Sequence, residues 1–589
     1  MTCETNRRRM LALLGTGVLG AAVSSCGHAN VTPPAMGDGA TTHLSLHISD
    51  AQGNALNLEA LRRIQSNGKG EVGYDDALLD AKTLEVIAVG PLYQDEGGVI
   101  GIDVPTGREC TLTMSWPTSH GYSALMADLP SSGEHDLLEL AARTLHGRQA
   151  ERLAQATAKG YKGADEAVKL RASAQQSLDA CSKAQAWTER GRLANSALDS
   201  AAGAQLSLDR ALAAQAPQDA VIGVTFTRVP TSAEVTAALA PSGPGGGKRK
   251  VSARLVISDP NDAEEMAGWR STVEALHAQG GQALAQICDS HDMVALTDSA
   301  WDTRVATLIK ALPNVDAWEV GNEIGGDWLG AGPVAKVQRA AKAVRERTSA
   351  TTVLTLYYQL GQADPTYSLF SYAAREIPAS IRELIDVVGL SVYPQLHPLG
   401  TAADRVLSTL ETAFASSRIA VTELGYGGAD LNTGPWWFGS ASDPVAARTA
   451  VAEHVTGAAL GRSDAWGAPF WWYYLEDQIG TPGARWLRRW PQCPLASRTR
   501  GRWATPGQAV PTGPYFCART KGWTASAPAS RRREAASVSV QPESLQSSTR
   551  TTTRSRSSSS VWADQPRSVR LRATCARRNA EPTSCCGGS

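Results

Sequence analysis

Residues Val387-Val388-Gly389-Leu390-Ser391-Val392 form a short, nearly unbroken apolar run; the amphipathic stretch Ala402–Ala415 follows it, and then a second apolar run, Ile419–Thr422. A strand that is apolar on both faces, joined through a helix to another of its kind, belongs to a parallel sheet covered on both sides. The rhythm extends outward from here over Asp219 to Asp477. Upstream lie Val221–Thr227, Ser252–Ser258, Ala283–Cys288, Ala317–Gly321 and Val353–Tyr358, and downstream lies Pro469–Tyr473. Helical candidates Ala263–Ala278, Asp302–Leu312, Val334–Thr348 and Pro444–Leu460 fill the gaps. Eight such units predict an α/β fold, a closed (β/α)8 TIM barrel over residues 218–483, in preference to an open doubly wound sheet. No glycine-rich phosphate fingerprint follows the first strand, which counts against nucleotide binding.

The flanks differ in composition. Residues 1–26 have the parts of an export signal: Arg7, Arg8 and Arg9, then an apolar run from Met10 to Val23, then Val23-Ser24-Ser25-Cys26. The last four resemble a bacterial lipobox, with Cys26 the acylated residue, and the arginines resemble a twin-arginine signal. The expectation is an exported, membrane-anchored lipoprotein, periplasmic or on the cell surface. Contact with the membrane would run only through the lipid, since no 18 consecutive residues are apolar. Residues 27–41 read as a tether. Alternation such as Leu44-Ser45-Leu46-His47-Ile48 predicts a small β-sandwich over 42–130, and Ala- and Leu-rich helical periodicity predicts a helical spacer over 131–217. Residues 484–589 carry a net charge of +15, which leaves −15 for the rest of a formally neutral chain. This Arg- and Ser-rich segment reads as a disordered basic tail. Its abrupt onset is also what a shifted reading frame would produce. The acidic body argues against a nucleic-acid partner.

Reactive groups of such a barrel belong at the C-terminal ends of its strands, where the loops share one mouth. Two glutamates stand there: Glu323 in Trp318-Glu319-Val320-Gly321-Asn322-Glu323-Ile324, closing the fourth strand, and Glu423 in Ala420-Val421-Thr422-Glu423-Leu424, closing the seventh. A carboxylate directly after a buried strand is costly unless solvated or used. The two strands lie on roughly opposite sides of the mouth, so the side chains could flank a bond held between them, the arrangement glycoside hydrolysis requires.

Asn322-Glu323 after strand four, Tyr393 after strand six, Glu423 after strand seven and Trp471-Trp472 in strand eight together resemble the clan A retaining glycoside hydrolases. The phrases Val320-Gly321-Asn322-Glu323-Ile324, Asp386–Pro394 and Thr422-Glu423-Leu424-Gly425-Tyr426 are similar to those of the family 53 endo-β-1,4-galactanases. The resemblance implies that Glu323 is the general acid/base and Glu423 the nucleophile, with carboxyl groups about 5–5.5 Å apart. It implies that Asn322 bonds the sugar's 2-hydroxyl, that Tyr393 donates to Glu423, and that Trp471 or Trp472 is the platform beneath the ring. Arg254 could reach the nucleophile or form a structural ion pair. His291 and Asp292 could line sugar subsites or be plain loop residues. Glu319 suits a buried supporting role, Tyr357, Tyr358 and Gln359 subsite walls or packing, and Asp327 and Trp328 a leaving-group subsite.

The partner implied is an oligo- or polysaccharide cleaved at a β-linkage, and no cofactor or metal is called for, because two carboxylates suffice. No His-Glu-x-x-His, Cys-x-x-Cys or Gly-x-Ser-x-Gly pattern occurs. The alternative is a non-catalytic carbohydrate-binding surface lipoprotein built on the same barrel.

Overall fold

The computed structural model describes residues 40–65, 76–95, 98–217, 219–239, 250–330, 332–361, 364–394, 396–426 and 444–476. All belong to the first of two compact units, 1–500 and 501–589. The signal segment with Cys26, nearly all of the tether and the basic tail lie outside the described residues. Among those described, no helix is long and apolar enough to cross a membrane.

Eight short strands open the fold: β1 (Thr41–His47), β2 (Ala77–Asp80), β3 (Val86–Val89), β4 (Tyr93–Gln94), β5 (Ile100–Pro105), β6 (Cys110–Thr118), β7 (Gly121–Asp128) and β8 (Gly133–Asp136). They make two four-stranded sheets, ordered β4-β5-β1-β8 and β3-β2-β6-β7. Strand β8 lies beyond residue 130 and pairs parallel with β1. Its sequence, Gly-Glu-His-Asp, is polar throughout, so no hydrophobic alternation marks it. The second sheet is a shared wall. Leu78, Leu112, Met114, Leu125 and Ala127 pack with Leu44 and Ile102 of the first sheet, while Ala77, Leu79, Ala124 and Met126 join the core of the following barrel. Burial on both faces explains why β7 reads Ser-Ala-Leu-Met-Ala without polar alternation.

Asp136 caps the next helix, Leu137–Ala158, by accepting from the Glu139 backbone N–H. Helices Asp165–Cys181 and Trp187–Ala213 follow and pack with it.

The barrel strands are β9 (Ile222–Phe226), β10 (Val251–Val256), β11 (Gln282–Gln286), β12 (Ala317–Ile324), β13 (Thr351–Tyr357), β14 (Val387–Val392), β15 (Arg418–Leu424) and β16 (Ala465–Gly467). They pair in parallel, in chain order. The eighth strand differs from its expected place at Pro469–Tyr473. It pairs over Ala465–Gly467, breaks where Phe470 takes φ +42°, and resumes at Trp471, which bridges both Val224 and Leu424. Backbone bonds from Val221 to Trp466 (3.0 Å) and from Thr225 to Trp471 (3.0 Å) close the ring. Pro469 has no N–H to give the ladder, which is why the pairing is split around it. Inside, Val221, Leu284, Ala317, Val353, Val387, Ala420, Trp466 and Phe470 form an apolar floor.

A buried charge cluster fastens the helical segment to the barrel. Asp404 accepts from Arg148 at 2.9 Å and contacts Arg152 at 3.3 Å and Arg462 at 3.2 Å. Burial alone would push its carboxyl up, but the three guanidiniums hold it below the usual carboxylate range. A depressed carboxylate stabilises the fold above its unfolded pKa, and the gain is lost as pH falls through the folded value. Asp404→Asn removes the carboxylate that the three guanidiniums share, although Arg152 keeps Asp209 and Arg462 keeps Glu411, and a loss of about 2 kcal/mol is expected in urea unfolding at neutral pH. The difference from the parent should shrink as the pH is taken down through the Asp404 titration.

Candidate active site

Two register slips aim the glutamates. Along β12, Trp318 and Val320 face the helices while Ala317 faces the barrel interior. Pairing with β13 then slips between Glu319 and Gly321 and again between Gly321 and Ile324. The extra residues turn Asn322 and Glu323 together toward the mouth, with Glu323 at φ +50°. Gly321 is left against Val337, where a Cβ would come within 2.6 Å of Val337 Cγ2, so only glycine fits. On β15 the register to β14 slips between Ala420 and Glu423. Val421 and Leu424 pack outward, and the adjacent Thr422 and Glu423 both turn inward. A positive φ on a non-glycine residue costs about 1 kcal/mol or more, and such strain gathers at working sites.

One polar network then joins both carboxylates. Arg254, fully buried on β10, forks onto Glu319 through Nε (2.8 Å) and Nη2 (3.1 Å) and brings Nη1 to 2.8 Å from Glu423 Oε2. The contact to Glu423 is an ion pair whose angle falls short of a hydrogen bond. Thr355 donates to Glu319 and lies 2.8 Å from the Thr422 hydroxyl. Glu423 also accepts from the Tyr393 hydroxyl and from Asn322 Nδ2 at 3.3 Å. The Tyr393 ring crosses Gly425 so closely that a Cβ there would lie 2.4 Å from it. Asn322 Oδ1 accepts from the Ser290 N–H at 2.9 Å, and the Ser290 hydroxyl donates to Glu323 Oε2 at 3.0 Å. Ser391, the register partner of Glu423, donates to Glu323 Oε1 at 2.8 Å. Two strands and two intervening side chains therefore hold the glutamates at one mouth.

The environments of the pair are unequal. Burial, then the charges of Glu423 and Asp289, push the Glu323 carboxyl up to about 8. Burial pushes Glu423 up as well, but Arg254 and the Tyr393 hydroxyl pull against it. One proton shared by two buried carboxyls belongs to the one without a cation, Glu323. Burial works against the charged Arg254, yet Glu319 and Glu423 raise its pKa further, so it stays a cation.

Among the residues singled out from the sequence, the structure brings Arg254, Asn322, Glu323, Tyr393 and Glu423 into this network, and Glu319 with them. Trp472 lies at its edge, part-exposed, with the Arg254 guanidinium 5.4 Å from its ring centre. Trp471 is different: it is 0% exposed and belongs to the core, so it cannot present a face to a sugar. Its backbone closes the barrel, which commits its side chain to the interior packing. His291 stands beside the mouth, its ring stacked on Trp328 with centres 5.4 Å apart. Its hydrogen bond to Asp289 raises its pKa against the effect of burial. Ser290, Ser391, Thr355 and Asp289 were not singled out. Ser391 was legible, since it shares the alternating face of Gly389 and Tyr393. Ser290 depends on a loop turn that no periodicity marks. No group of three or more His, Cys, Asp or Glu side chains is placed to hold a metal ion among the described residues.

No protein-family model and no curated protein matches the chain. Solved structures similar to it include a fungal β-1,4-galactanase, 15% identical over 46% of this chain and 94% of that one, with a TM-score of 0.30. A β-1,4-mannanase of family GH113 is 14% identical over 46% and 99% (TM-score 0.31). A β-glycosidase from Pyrococcus horikoshii is 11% identical over 47% and 95% (TM-score 0.31). These neighbours are glycoside hydrolases.

The raised Glu323 value has a consequence for stability. The folded state keeps a proton that the unfolded chain releases above the ordinary glutamate value of 4.5, so stability is full below that value and is lost as pH rises toward about 8. Glu323→Gln removes this titration. Urea midpoints of the variant should therefore fall less than those of the parent between about pH 5 and pH 8.

Proposed function

We propose that the barrel hydrolyses β-linked glycans with retention of anomeric configuration, Glu423 acting as nucleophile and Glu323 as general acid/base. The observation that carries this reading is the unequal pairing of two carboxyls in one network: Glu423 touches Arg254 and Tyr393, whereas Glu323 has only the serine hydroxyls. In the first step a Glu423 oxygen attacks the anomeric carbon, the bond to the leaving oxygen breaks, and the Glu323 proton passes to that oxygen. In the second, water attacks the same carbon, Glu323 takes its proton, and the ester to Glu423 breaks.

Charge balance favours this assignment. Esterification neutralises Glu423 while Glu323 loses its proton, so the buried cluster holds the same net charge before and after glycosylation. The Glu423 charge is one of the influences that raise Glu323. Its loss lowers the Glu323 value and suits that residue to act as base in the second step. Arg254 does not collapse onto the ester, because Glu319 holds it by two bonds. Asn322, beside Glu423, is placed for the sugar's 2-hydroxyl, and Trp472 is the platform in place of Trp471. The strand-end phrases resemble those of the family 53 enzymes, so β-1,4-galactan belongs among the polymers to assay. The N-terminal sequence supports export and lipid attachment at Cys26, which suits an enzyme meeting polysaccharides outside the cytoplasm.

The test is turnover of a panel of aryl β-glycosides and β-glycans, with product anomers followed by NMR. Retention is expected, with Glu423→Gln and Glu323→Gln each lowering kcat/KM on glycans by about 10³-fold or more. The basic limb of the parent's pH profile should fall near the Glu323 value of about 8. Inversion, or sugar binding without turnover, would contradict the proposal; the second result would point to a carbohydrate-binding protein.

A further inference from the structure

The loop after β14 begins with Tyr393, whose hydroxyl bonds Glu423, and runs to the turn Gly400–Ala402, which lies against β7, the edge strand of the N-terminal sheet β3-β2-β6-β7. The Thr401 backbone N–H donates to the hydroxyl of buried Ser123 on β7, and the two hydroxyls lie 2.7 Å apart. The Thr401 hydroxyl also donates to the Ala124 carbonyl at 3.2 Å. Gly400 comes so close that a Cβ there would lie 2.5 Å from Ser123 Cα, and its φ of +47° again suits glycine. From the other side His454, on helix Pro444–Leu460, donates to the Gly400 carbonyl at 2.9 Å. Four residues past Thr401, Arg405 donates to the Asp128 carboxylate on β7 at 2.6 Å and to the Ala81 carbonyl at 2.7 Å.

Hydrogen bonds carry this fastening back toward the mouth. Tyr358, just past β13, donates to the Pro398 carbonyl at 3.1 Å, and Leu399 is buried. The Tyr393 carbonyl accepts from the Leu396 and His397 N–H groups at 2.9 and 3.0 Å. We infer that Ser123 is a positioning residue: by gripping Gly400 and Thr401, the N-terminal sheet sets the loop that holds the Tyr393 hydroxyl on Glu423. The inference rests on the glycosidase reading above. It gives the N-terminal sheet a part in the reaction although Ser123 itself touches neither glutamate. Of the charged or titratable groups that act on Glu423, Arg254 comes from β10, Glu319 and Glu323 from β12, and Asp289 from the turn after β11; among them Tyr393 alone belongs to this loop. Loosening the loop therefore weakens one hydrogen bond to the ionised nucleophile and leaves the Arg254 contact in place. A carboxylate that loses a donated hydrogen bond binds a proton more readily, so its ionisation moves to higher pH.

The experiment measures kcat/KM against pH on an aryl β-glycoside for full-length variants. Ser123→Ala should lose about 10-fold, since a misplacement of roughly 1 Å can cost up to about 100-fold, and its acidic limb should move up by about 0.5 pH or more. Thr401→Val should behave alike, whereas Thr401→Ser, which keeps the hydroxyl, should restore most of the loss. In a Tyr393→Phe background, Ser123→Ala should cost less than about 2-fold, because the bond it positions is already gone. Amide hydrogen exchange of peptides covering Leu396–Ala402 should quicken in Ser123→Ala, with those covering Arg418–Leu424 unchanged. A loss that is equal at every pH, or that persists in full in the Tyr393→Phe background, would mark a merely structural contact. Either result, or no loss in Ser123→Ala and Thr401→Val, would overturn the inference while leaving the glycosidase reading intact. A parent that turns over no glycoside would overturn both.

Discussion

The ion contacts of Arg254 constrain everything else at the mouth. A guanidinium with no solvent exposure is tolerable only if anions meet it, and here Glu319 takes two of its nitrogens while the third reaches Glu423. Glu319 is held in turn by Thr355, and Thr355 by Thr422. The cation is therefore fixed from beneath and cannot follow Glu423 wherever that side chain moves. One carboxyl at the mouth is stabilised as an anion, and the other, Glu323, is left to hold the proton. The two carboxyls are distinguished by which of them the arginine can touch.

That arrangement depends on departures from regular strand geometry. Strict alternation would turn Asn322 outward if Glu323 faced in, and would turn Glu423 outward if Thr422 faced in. The slips in β12 and β15 bring each pair to the mouth together, and Gly321 takes the close approach to a helix that follows. The surrounding fold has to bear the positive φ at Glu323. The apolar floor of the barrel, the two-faced wall of β3-β2-β6-β7 and the arginine cluster around Asp404 supply the packing that supports it.

Much of this was legible in the chain. Runs apolar on both faces marked the barrel strands; Val387–Val392 and helix Ala263–Ala278 coincide with the elements found. Glu323 and Glu423 stood out because a charge directly after a buried run needs a reason. What was not legible follows from tertiary contact. The run from Ala465 to Leu475 is apolar nearly throughout, so neither the break at Phe470 nor the burial of Trp471 beside a part-exposed Trp472 could be read from it. Strand β8 is polar on both faces and shows no period. Arg254 could be read either as a structural ion pair or as a partner of the nucleophile, and it makes both contacts. Ser290 acquires its place only when the loop after β11 folds back onto β12.

In the proposed mechanism Glu423 becomes covalently bonded to the sugar while Glu323 stands by as acid and base. The most direct measurement is to incubate the protein with activated β-glycosides fluorinated at the carbon next to the anomeric centre, which slow hydrolysis of the glycosyl-enzyme, and then to map the modified peptide by mass spectrometry. One sugar per chain, carried on Glu423 and displaced when a sugar acceptor is added, is the result expected. Labelling of Glu323 or Glu319, or no label from any glycoside the protein turns over, would contradict the account.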